Sequence, residues 1–301
     1  MSGLKWTRRT TRKVARELTR TGIPVSASTV GRLLKQMDYS LRVNVKRIES
    51  GIKNPPSRRD RNRQFLYIAQ QRKRMTQLGN PVVSVDSKKR EMVGQFKNPG
   101  RCWVREPIPV NDHDFRTDAV GIALPYSLYD TERNEGTVCV GTSHDTPAFA
   151  SDAIISWWQR WGCRQYPQAT ELLILADSGG SNSYRSRVWK WQLQSKLSNR
   201  FSLPVTVCHY PPGASKWNPV EHRLLSEISK NWQGKPLNSY ETTLNYIRQT
   251  ETTTGLHVRA YLARKHYENG QRIADKDFGN ITITKHATFS KWNYTLTPNK
   301  M

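Results

Sequence analysis

An uninterrupted apolar run that ends in a single acid is the feature of this sequence that most constrains its fold. Residues 171–182 read ELLILADSGGSN, in which the run Leu172–Ala176 stops at Asp177 and is followed by two glycines. A short apolar run of this kind is typical of a strand buried on both faces of an open α/β sheet. Such sheets bind ligands at the carboxyl ends of their strands, so Asp177 is a candidate site residue. An ordinary Asp-Ser-Gly turn explains the same letters equally well.

Two further acids occupy comparable positions. Residues 82–86 read VVSVD, a β-branched run that ends at Asp86, and Glu221 lies one turn into a predicted helix that follows a third predicted strand. Neighbouring strand ends and an adjacent helix can bring such side chains together. Close carboxylates repel one another unless a cation lies between them, and oxygen-only ligands favour Mg²⁺ or Mn²⁺. The pattern therefore predicts a metal site formed by Asp86, Asp177 and Glu221.

Each of these acids also has a simpler structural interpretation. In the segment Asn218-Pro219-Val220-Glu221 the Asn suits an N-cap, the Pro suits the first helical position and the Glu suits a capping box. Asp86 alone is typical of a strand-end acid that makes turn contacts. Asp145, at the end of another predicted strand, is the rival candidate for the acid cluster.

The charge of the chain points to a polyanionic partner. Its 301 residues include 48 Lys and Arg against 24 Asp and Glu, which gives a formal net charge of +24. These residues are interleaved with 10 Trp, 12 Tyr and 7 Phe, whereas a disordered basic tail has few aromatic residues. A folded protein that binds nucleic acid is therefore expected, and a merely solvated basic surface is the alternative.

No membrane partner is predicted. The amino-terminal residues join no basic segment to an apolar stretch, and no apolar run is long enough to cross a bilayer. The four cysteines show no zinc-finger spacing and are expected to be reduced thiols. We expect a cytoplasmic protein associated with the bacterial nucleoid.

Residues 1–41 have the pattern of a helix-turn-helix. Residues 11–20 place apolar side chains on one helical face, and Gly22-Ile23-Pro24 then breaks the helix. A second helix follows, with Ser26 or Ser28 as its N-cap. An ordinary pair of antiparallel helices fits this pattern equally well.

The second helix of a helix-turn-helix enters the major groove, which makes Arg32 and Lys35 candidate DNA contacts. Only residues 1–10 precede the first predicted helix. A complete trihelical module needs more, so we expect an upstream portion to be missing.

Three further segments are predicted along the chain. Residues 42–80 form a basic linker and helix, residues 81–235 form an α/β domain, and residues 236–301 form helices and a tail that pack on that domain. Within the α/β domain a hairpin over residues 123–144 precedes strands that alternate with helices, which predicts a mixed sheet flanked by helices. Residues 239–267 are expected to contain one or two helices, followed by an extended or irregular tail.

Several residues close in sequence to the acids could contact phosphate. They are Lys88, Lys89, Asn182 and Lys216. Lys88 and Lys89 cannot both face the site if the strand continues, because neighbours on a strand alternate sides. His222 is a candidate proton shuttle or DNA contact, but it lies about 100° round the helix axis from Glu221. A surface or packing role is the alternative for His222.

Three long blocks of the sequence resemble the catalytic blocks of the Rhodopirellula-type DDE transposases of bacterial insertion sequences. They are VVSVDSKKREMVGQFKNPGR, ELLILADSGGSNSYRSRVWKWQLQ and CHYPPGASKWNPVEHRLLSEISKNWQGKPL. The third block is also similar to the Pro-Pro…Asn-Pro-x-Glu signature of mariner-like transposases. The resemblance covers nearly the whole chain, from GLKWTRRTTRKVARELTRTGIPVSASTVGRLL at the start to WNYTLTP near the end.

The resemblance implies an RNase H-like fold in which Asp86, Asp177 and Glu221 form the catalytic triad and hold a pair of Mg²⁺ or Mn²⁺ ions. It implies cleavage of a DNA strand by water, followed by attack of the freed 3′-hydroxyl on target DNA. The expected partners are double-stranded DNA, namely the terminal inverted repeats and the target, and a second copy of the chain as a homodimer. A nuclease of the same fold that only hydrolyses and a catalytically inactive DNA-binding relic are the alternatives.

Overall fold

The computed structural model of the protein describes residues 9–40 and 56–299. Most of the predicted basic linker, residues 42–55, lies outside the described residues. The chain divides into two compact units, residues 1–52 and residues 53–301, which are described in turn.

The first unit contains the two predicted helices, α1 (Thr11–Arg20) and α2 (Ala27–Gln36). Gly22 lies between them with φ at +90°, a conformation that glycine adopts without strain. The side chain of Ser26 accepts a hydrogen bond from the backbone amide of Thr29, so Ser26 is the N-cap of α2. The prediction of two amino-terminal helices is therefore confirmed.

The apolar faces of these helices are only partly covered in the part of the chain that the structure describes. Ala15 of α1 and Val30 of α2 are buried. Leu33 of α2 and Met37, the residue that follows this helix, are exposed although both are apolar. Periodicity reports which residues share a helical face, but it does not report whether a neighbour covers that face.

The second unit is a nine-stranded mixed sheet flanked by helices. Its strands are β1 (Val82–Ser87), β2 (Glu91–Val93), β3 (Gly121–Asp130), β4 (Glu135–Gly141), β5 (Leu172–Ala176), β6 (Val205–His209), β7 (His257–Ala263), β8 (Ile283–Lys285) and β9 (Asn293–Leu296). Its helices are α3 (Arg58–Gln77), α4 (Pro147–Trp157), α5 (Cys163–Gln165), α6 (Arg187–Leu193), α7 (Asn199–Phe201), α8 (Ser226–Trp232), α9 (Tyr240–Arg248) and α10 (Asp275–Phe278). Single π-helical turns follow α4 (Trp158–Gly162), follow α6 (Gln194–Ser198) and precede α8 (Glu221–Leu225).

The strand order is β7-β4-β3-β1-β5-β6-β9-β8, and β2 pairs with β3. Strands β1, β3 and β4 form an antiparallel meander, whereas β5 and β6 run parallel to β1 on its other side. This arrangement is the RNase H-like mixed sheet that the resemblance implies, so the predicted fold class is confirmed. Parallel neighbours need crossover connections, which the helical segments after β4 and after β5 provide.

Helices cover both faces of the sheet, which explains the continuous apolar run of the central strand. Every residue of β5 and of β6 is buried. Helices α4 and α6 contribute Phe149 and Trp189 to the core on one face. Leu224, in the turn before α8, belongs to the core on the other face, and Ile68 of α3 packs in a third cluster with Leu175. A strand with side chains buried on both sides has no polar alternation.

The carboxyl-terminal segment differs from its prediction. Residues 239–267 contain one helix, α9, followed by strand β7, which pairs with β4 at one edge of the sheet. The tail predicted to be extended or irregular supplies β8 and β9, and β9 pairs with β6. Strand pairing depends on partners far away in the sequence, so a local pattern identifies such strands poorly.

Neither a membrane-spanning helix nor a disulfide occurs among the described residues. No helix among them is long and apolar enough to cross a membrane. The cysteines are all free thiols, and Cys139 and Cys208 are buried, as expected of reduced thiols in a core.

Candidate active site

The ends of β1 and β5 place two of the predicted acids side by side. The strands are parallel neighbours, and Val85 lies opposite Ala176 in their register. Asp86 is the next residue of β1, and Asp177 is the first residue after β5. The two acids therefore lie next to each other at the same edge of the sheet. The charge of Asp177 also contributes to a raised pKa of Asp86, which shows that the carboxylates are close.

Glu221 reaches the same edge from a helix. It begins the π-helical turn before α8, and its side chain contributes to the raised pKa of Asp86. Its backbone amide donates to the main-chain oxygen of Asn218 at 3.0 Å. Among the described residues, the Glu221 carboxylate makes no hydrogen bond to the Asn218 backbone. Glu221 therefore belongs to the acid cluster and does not close a capping box.

Asn218 connects the three segments that bear the acids. This fully buried side chain donates from Nδ2 to the main-chain oxygen of Val85 at 3.1 Å and to Asp177 Oδ1 at 3.3 Å. Its Oδ1 accepts a hydrogen bond from the hydroxyl of Ser84. The Ser84 hydroxyl in turn accepts one from the backbone amide of Val220 at 3.0 Å. The local pattern predicted Asn218 only as an N-cap, so sequence reasoning missed this role.

Burial and mutual repulsion raise the pKa of both aspartates. For Asp86 the causes are burial, then the charge of Asp177, then the hydrogen bond and charge of Glu221, and they hold its pKa well above the ordinary range. Burial likewise raises the pKa of Asp177; the amide of Asn218 opposes this shift and the charge of Glu221 adds to it. The backbone amide of Ser87 donates to Asp86 Oδ1 at 2.8 Å, which only partly offsets the repulsion. The cluster thus has more negative charge than its surroundings neutralise.

The donor chemistry of this cluster fits a divalent cation. All three side chains offer carboxylate oxygens, the ligands that Mg²⁺ and Mn²⁺ prefer. The charges of Asp177 and Glu221 disfavour a negative charge on Asp86, and a cation would relieve that repulsion. In the part of the chain that is described, no group of three or more His, Cys, Asp or Glu side chains already surrounds a common centre.

His209 supports Asp177 from inside the sheet. This fully buried residue ends β6, and its Nδ1 lies 2.9 Å from the main-chain oxygen of Asp177. Its Nε2 lies 3.4 Å from the hydroxyl of Tyr294, which also accepts from Trp189 Nε1 at 3.1 Å. Burial lowers the pKa of His209 to about 4, so the neutral ring donates from Nδ1. Sequence reasoning missed His209, although it ends a third apolar strand much as Asp86 and Asp177 follow the first two.

Lys88 and Lys89 line a groove beside Glu221. The remaining lining residues are Ser87, Leu225, Ser226 and Ser229. The Lys88 side chain is 14% exposed and its Nζ lies 2.8 Å from Glu91 Oε1, whereas Lys89 is exposed. Both lysines can reach this groove because β1 ends at Ser87 and the alternation of a strand stops there.

The loop after Asp177 is open on its outer side. Gly180 has φ at +61°, and a Cβ atom added to Gly179 or Gly180 would meet nothing within 4 Å. Asn182 supports this loop from inside, since it is buried and its Oδ1 accepts a hydrogen bond from the hydroxyl of Tyr126 at 2.7 Å. The side chain of Asn182 thus faces the core, and its contact with DNA stays a prediction.

The other predicted DNA contacts lie on the surface. Lys216 is exposed, with its Nζ 5.4 Å from the ring centre of Trp217. His222 is exposed and lines a second groove, separate from the one beside Glu221, as its offset around the helix predicted. Arg32 and Lys35 are exposed on α2 of the first unit. Their contacts with DNA also stay predictions.

Asp145, the rival acid, lies at the same edge of the sheet but contacts a different residue. The hydroxyl of Ser87 is 3.1 Å from Asp145 Oδ1 and 3.1 Å from the hydroxyl of Ser181. The carboxylates that raise the pKa of Asp86 are those of Asp177 and Glu221. The structure thus brings together the three acids that the sequence predicted and places Asp145 beside them.

An RNase H-like sheet with aspartates at two adjacent parallel strands and a glutamate on a following helix defines a protein of the DDE type. Comparison with protein families agrees. The family described as Rhodopirellula transposase DDE domain matches residues 1–298, nearly the entire chain. The chain belongs to this family. No curated protein matches the sequence.

Solved structures similar to the chain are complexes of the Mos1 transposase. One is a paired-end complex with the left transposon end, at 15% identity and a TM-score of 0.47, covering 79% of this chain and 65% of that chain. A Mos1 strand transfer complex shares 14% identity at a TM-score of 0.47 and covers 79% and 64% of the two chains. A mariner Mos1 paired-end complex with Mg shares 14% identity at a TM-score of 0.46 and covers 79% and 65%. The chain thus spans slightly less than two thirds of these chains, and its family assignment rests on the sequence match.

Proposed function

We propose that this protein is a DNA transposase that cleaves a strand at the end of its element and joins the freed 3′-hydroxyl to target DNA. The observation that supports this most directly is the convergence of Asp86, Asp177 and Glu221, from three separate sequence blocks, at one edge of the sheet. Membership of a transposase family supports the same reaction. The net charge of +24 suits a polyanionic substrate.

Both proposed steps are displacements at a phosphodiester. In the first, water attacks phosphorus and the bond to the 3′-oxygen breaks, which leaves a 3′-hydroxyl and a 5′-phosphate. In the second, that hydroxyl attacks a phosphodiester of the target, and the target's own 3′-oxygen leaves with a proton. No oxidant or further co-substrate is required, because each displacement forms one phosphorus–oxygen bond and breaks another.

In this proposal Asp86, Asp177 and Glu221 hold a pair of Mg²⁺ or Mn²⁺ ions, which would stabilise the attacking and leaving oxygens. Asn218 and His209 keep Asp177 in place, the first through its carboxylate and the second through its main chain. The open glycine loop leaves room for a nucleic-acid backbone beside Asp177.

Further residues are proposed to bind DNA, the cationic ones by their charge. They are Lys88, Lys89, Asn182, Lys216, His222, Arg32 and Lys35. The exposed members can reach a phosphate directly, whereas Asn182 would first have to leave its bond with Tyr126. The proposed division of labour places DNA recognition in residues 1–41 and catalysis in residues 81–235. The linker of residues 42–80 and the segment of residues 236–301 support these two regions.

The proposed partners are the terminal inverted repeats of the element, the target DNA and a second copy of the chain. Transposition brings two ends of one element together, which a homodimer would do symmetrically. A protein that acts on bacterial DNA in this way would work at the nucleoid in the cytoplasm.

The substitution Asp177→Asn tests the proposed reaction. Purified protein is incubated with Mg²⁺ and a labelled duplex that contains the element's end, and cleaved strands are measured. We expect cleavage to fall to background while duplex binding persists, because Asn keeps the shape of Asp177 but loses its charge. Asp145→Asn is the matched control, since Asp145 lies at the same edge and contacts Ser87 instead. Cleavage by Asp177→Asn at the wild-type rate would show that the triad is misassigned.

A strand-transfer assay separates the transposase from its alternatives. With labelled element ends and an unlabelled target, a transposase yields joined products. A nuclease of the same fold yields cleaved ends that never join. An inactive DNA-binding relic yields salt-sensitive binding without any Mg²⁺-dependent product.

A further inference from the structure

A second basic groove lies on the Asp177 side of the acid cluster. Its volume is about 390 Å³, and it is formed by residues of α6, β8, β9 and the loops beside them. Its cationic residues are Arg185, Lys190, Lys285 and Lys291. Within the described part of the chain, no Asp or Glu lines it. We call it the Lys190 groove.

The cations of the Lys190 groove lack the acidic partners that lysines have elsewhere in this unit. Lys265, for example, lies 2.6 Å from Asp152, and Lys230 lies 2.7 Å from Glu227. Among the described residues, none of the four groove cations forms an ion pair, and Arg185 instead donates from Nε to a tyrosine hydroxyl at 3.0 Å. The charge of this groove is therefore left for a ligand to neutralise.

Lys190 lies half-buried at the base of the groove. Its Nζ is 5.2 Å from the ring centre of Tyr294. Burial, and then the charge of Lys285, lower the pKa of Lys190. Lysine side chains that are buried are normally paired with an acidic side chain. An anion in the groove would remove an electrostatic penalty that the chain itself leaves in place.

Two aromatic side chains connect the groove to the acid cluster. Tyr184 packs edge-on against His209 with ring centres 6.1 Å apart. The hydroxyl of Tyr294 lies 3.4 Å from His209 Nε2. His209 contacts the main chain of Asp177, so the groove begins only two side chains away from that acid. Lys88 and Lys89 lie beside Glu221, which gives the cluster basic residues on both flanks.

We propose that the Lys190 groove binds the phosphate backbone of the DNA strand that continues past Asp177 from the reacting phosphate. A group of cations without acids matches the charge of a phosphate backbone, and the glycine loop that follows Asp177 is open on its outer side. This inference rests on the proposed action on DNA, because it adds a second contact surface for the same substrate.

Salt-dependent DNA binding tests the Lys190 groove. The full chain and the double variant Lys190→Gln/Lys285→Gln are titrated against a short labelled DNA duplex, without divalent metal, at several salt concentrations. The logarithm of the binding constant falls linearly with the logarithm of the salt concentration, and each phosphate contact contributes about 0.9 to the slope. We therefore expect the slope of the double variant to be shallower by about 1 to 2. At about 0.1 M salt this corresponds to roughly tenfold weaker binding per contact.

The matched control is the double variant Lys230→Gln/Lys265→Gln. It changes the net charge equally, but both lysines already have carboxylate partners. We expect its slope to equal that of the wild type. Equal slopes for the two double variants would overturn the proposal, as would a loss of binding confined to an RNA duplex.

A measurement of stability and a second double variant distinguish lost DNA contacts from loss of the fold. Thermal unfolding shows whether a variant is folded. If the variant that contains Lys190→Gln unfolds at a lower temperature, the double variant Lys285→Gln/Lys291→Gln is tested in its place, since both of these lysines are exposed. The expected change in the salt dependence of binding is the same. Because no metal is present, binding is measured independently of cleavage. A protein that binds DNA through the groove but never cleaves it would contradict only the proposed reaction.

Discussion

Gln64 and Asn293 exchange two side-chain hydrogen bonds, of 2.7 and 2.8 Å, across 229 residues of sequence. Both side chains are fully buried, and Gln64 also donates from Nε2 to the main-chain oxygen of His209 at 2.8 Å. The pair therefore fixes α3 and β9 to the strand that supports Asp177. Buried amides of this kind are costly when one partner is removed.

The substitution Gln64→Leu should lower the free energy of unfolding by about 2 to 4 kcal/mol, because it removes the donor to Asn293 Oδ1 and to the His209 carbonyl. For a unit of this size that corresponds to a thermal midpoint lower by roughly 4 to 16 °C. Gln192→Leu is the matched control, since Gln192 is also buried and its Oε1 already lacks a hydrogen-bond partner among the described residues. An equal loss in both variants, measured by calorimetry, would contradict the specific role of Gln64.

Replacement of Asn218 by Ala should reduce Mg²⁺-dependent cleavage more than it reduces stability. The side chain is the direct link between the Asp177 carboxylate and β1, so its loss frees the acids to separate. Asn98→Ala is the control, because Asn98 Nδ2 also donates to two main-chain oxygens, those of Trp232 and Lys235, away from the acids. Rates of cleavage are compared at matched fractions of folded protein. A similar rate for both variants would show that Asn218 has only a structural role.

The substitution Asp86→Asn should stabilise the metal-free protein while it removes the response to Mg²⁺. The neighbouring acids and burial disfavour a charge on Asp86, and Asn relieves that repulsion. We expect a thermal midpoint in EDTA that is higher by about 2 to 4 °C, equivalent to about 1 kcal/mol. Mg²⁺ should raise the midpoint of the wild type through binding to the folded state, and leave the variant unchanged. An equal Mg²⁺ response in both proteins would contradict the assignment of Asp86 as a ligand.

The contribution of His286 to stability should decrease as the pH falls below the ordinary pKa of histidine, about 6.5. Burial lowers the pKa of His286, whose ring nitrogens lie 2.6 Å from the hydroxyl of Tyr67 and 2.8 Å from that of Thr295. In the window between its folded and ordinary pKa values the unfolded chain binds the proton and the folded chain does not, so the full stabilisation is present above that window and is lost within it. His286→Gln should flatten the dependence of the thermal midpoint on pH. Parallel curves for the two proteins would contradict this origin.

The sequence alone predicted the acids because their signal is local. Each aspartate follows a short run whose burial the residues themselves reveal, and the bounds of β5 were predicted to the residue. The mixed sheet flanked by helices followed from the alternation of strand and helix patterns. The family resemblance then joined Asp86, Asp177 and Glu221 into one site.

The support of the site could not be predicted because it depends on distant partners. The pattern around Asn218 fits an N-cap as well as a link between three segments, and only the fold shows which oxygen atoms lie within its reach. Nothing in the sequence near His209 or Gln64 indicates that they meet. Strand β7 was missed for the same reason, since it is recognised by the strand beside it.

Strand β9 is translated after the three acids, although it stabilises the framework that holds them. It lies beside β6 and supplies Tyr294, the hydroxyl partner of His209, yet its residues leave the ribosome after all three acids. A growing chain therefore contains the complete set of acids before it contains the strand that stabilises the framework around them. We expect translation to pass Leu296 before the protein can cut DNA, so that a product interrupted earlier would attach to DNA through its basic residues without breaking it.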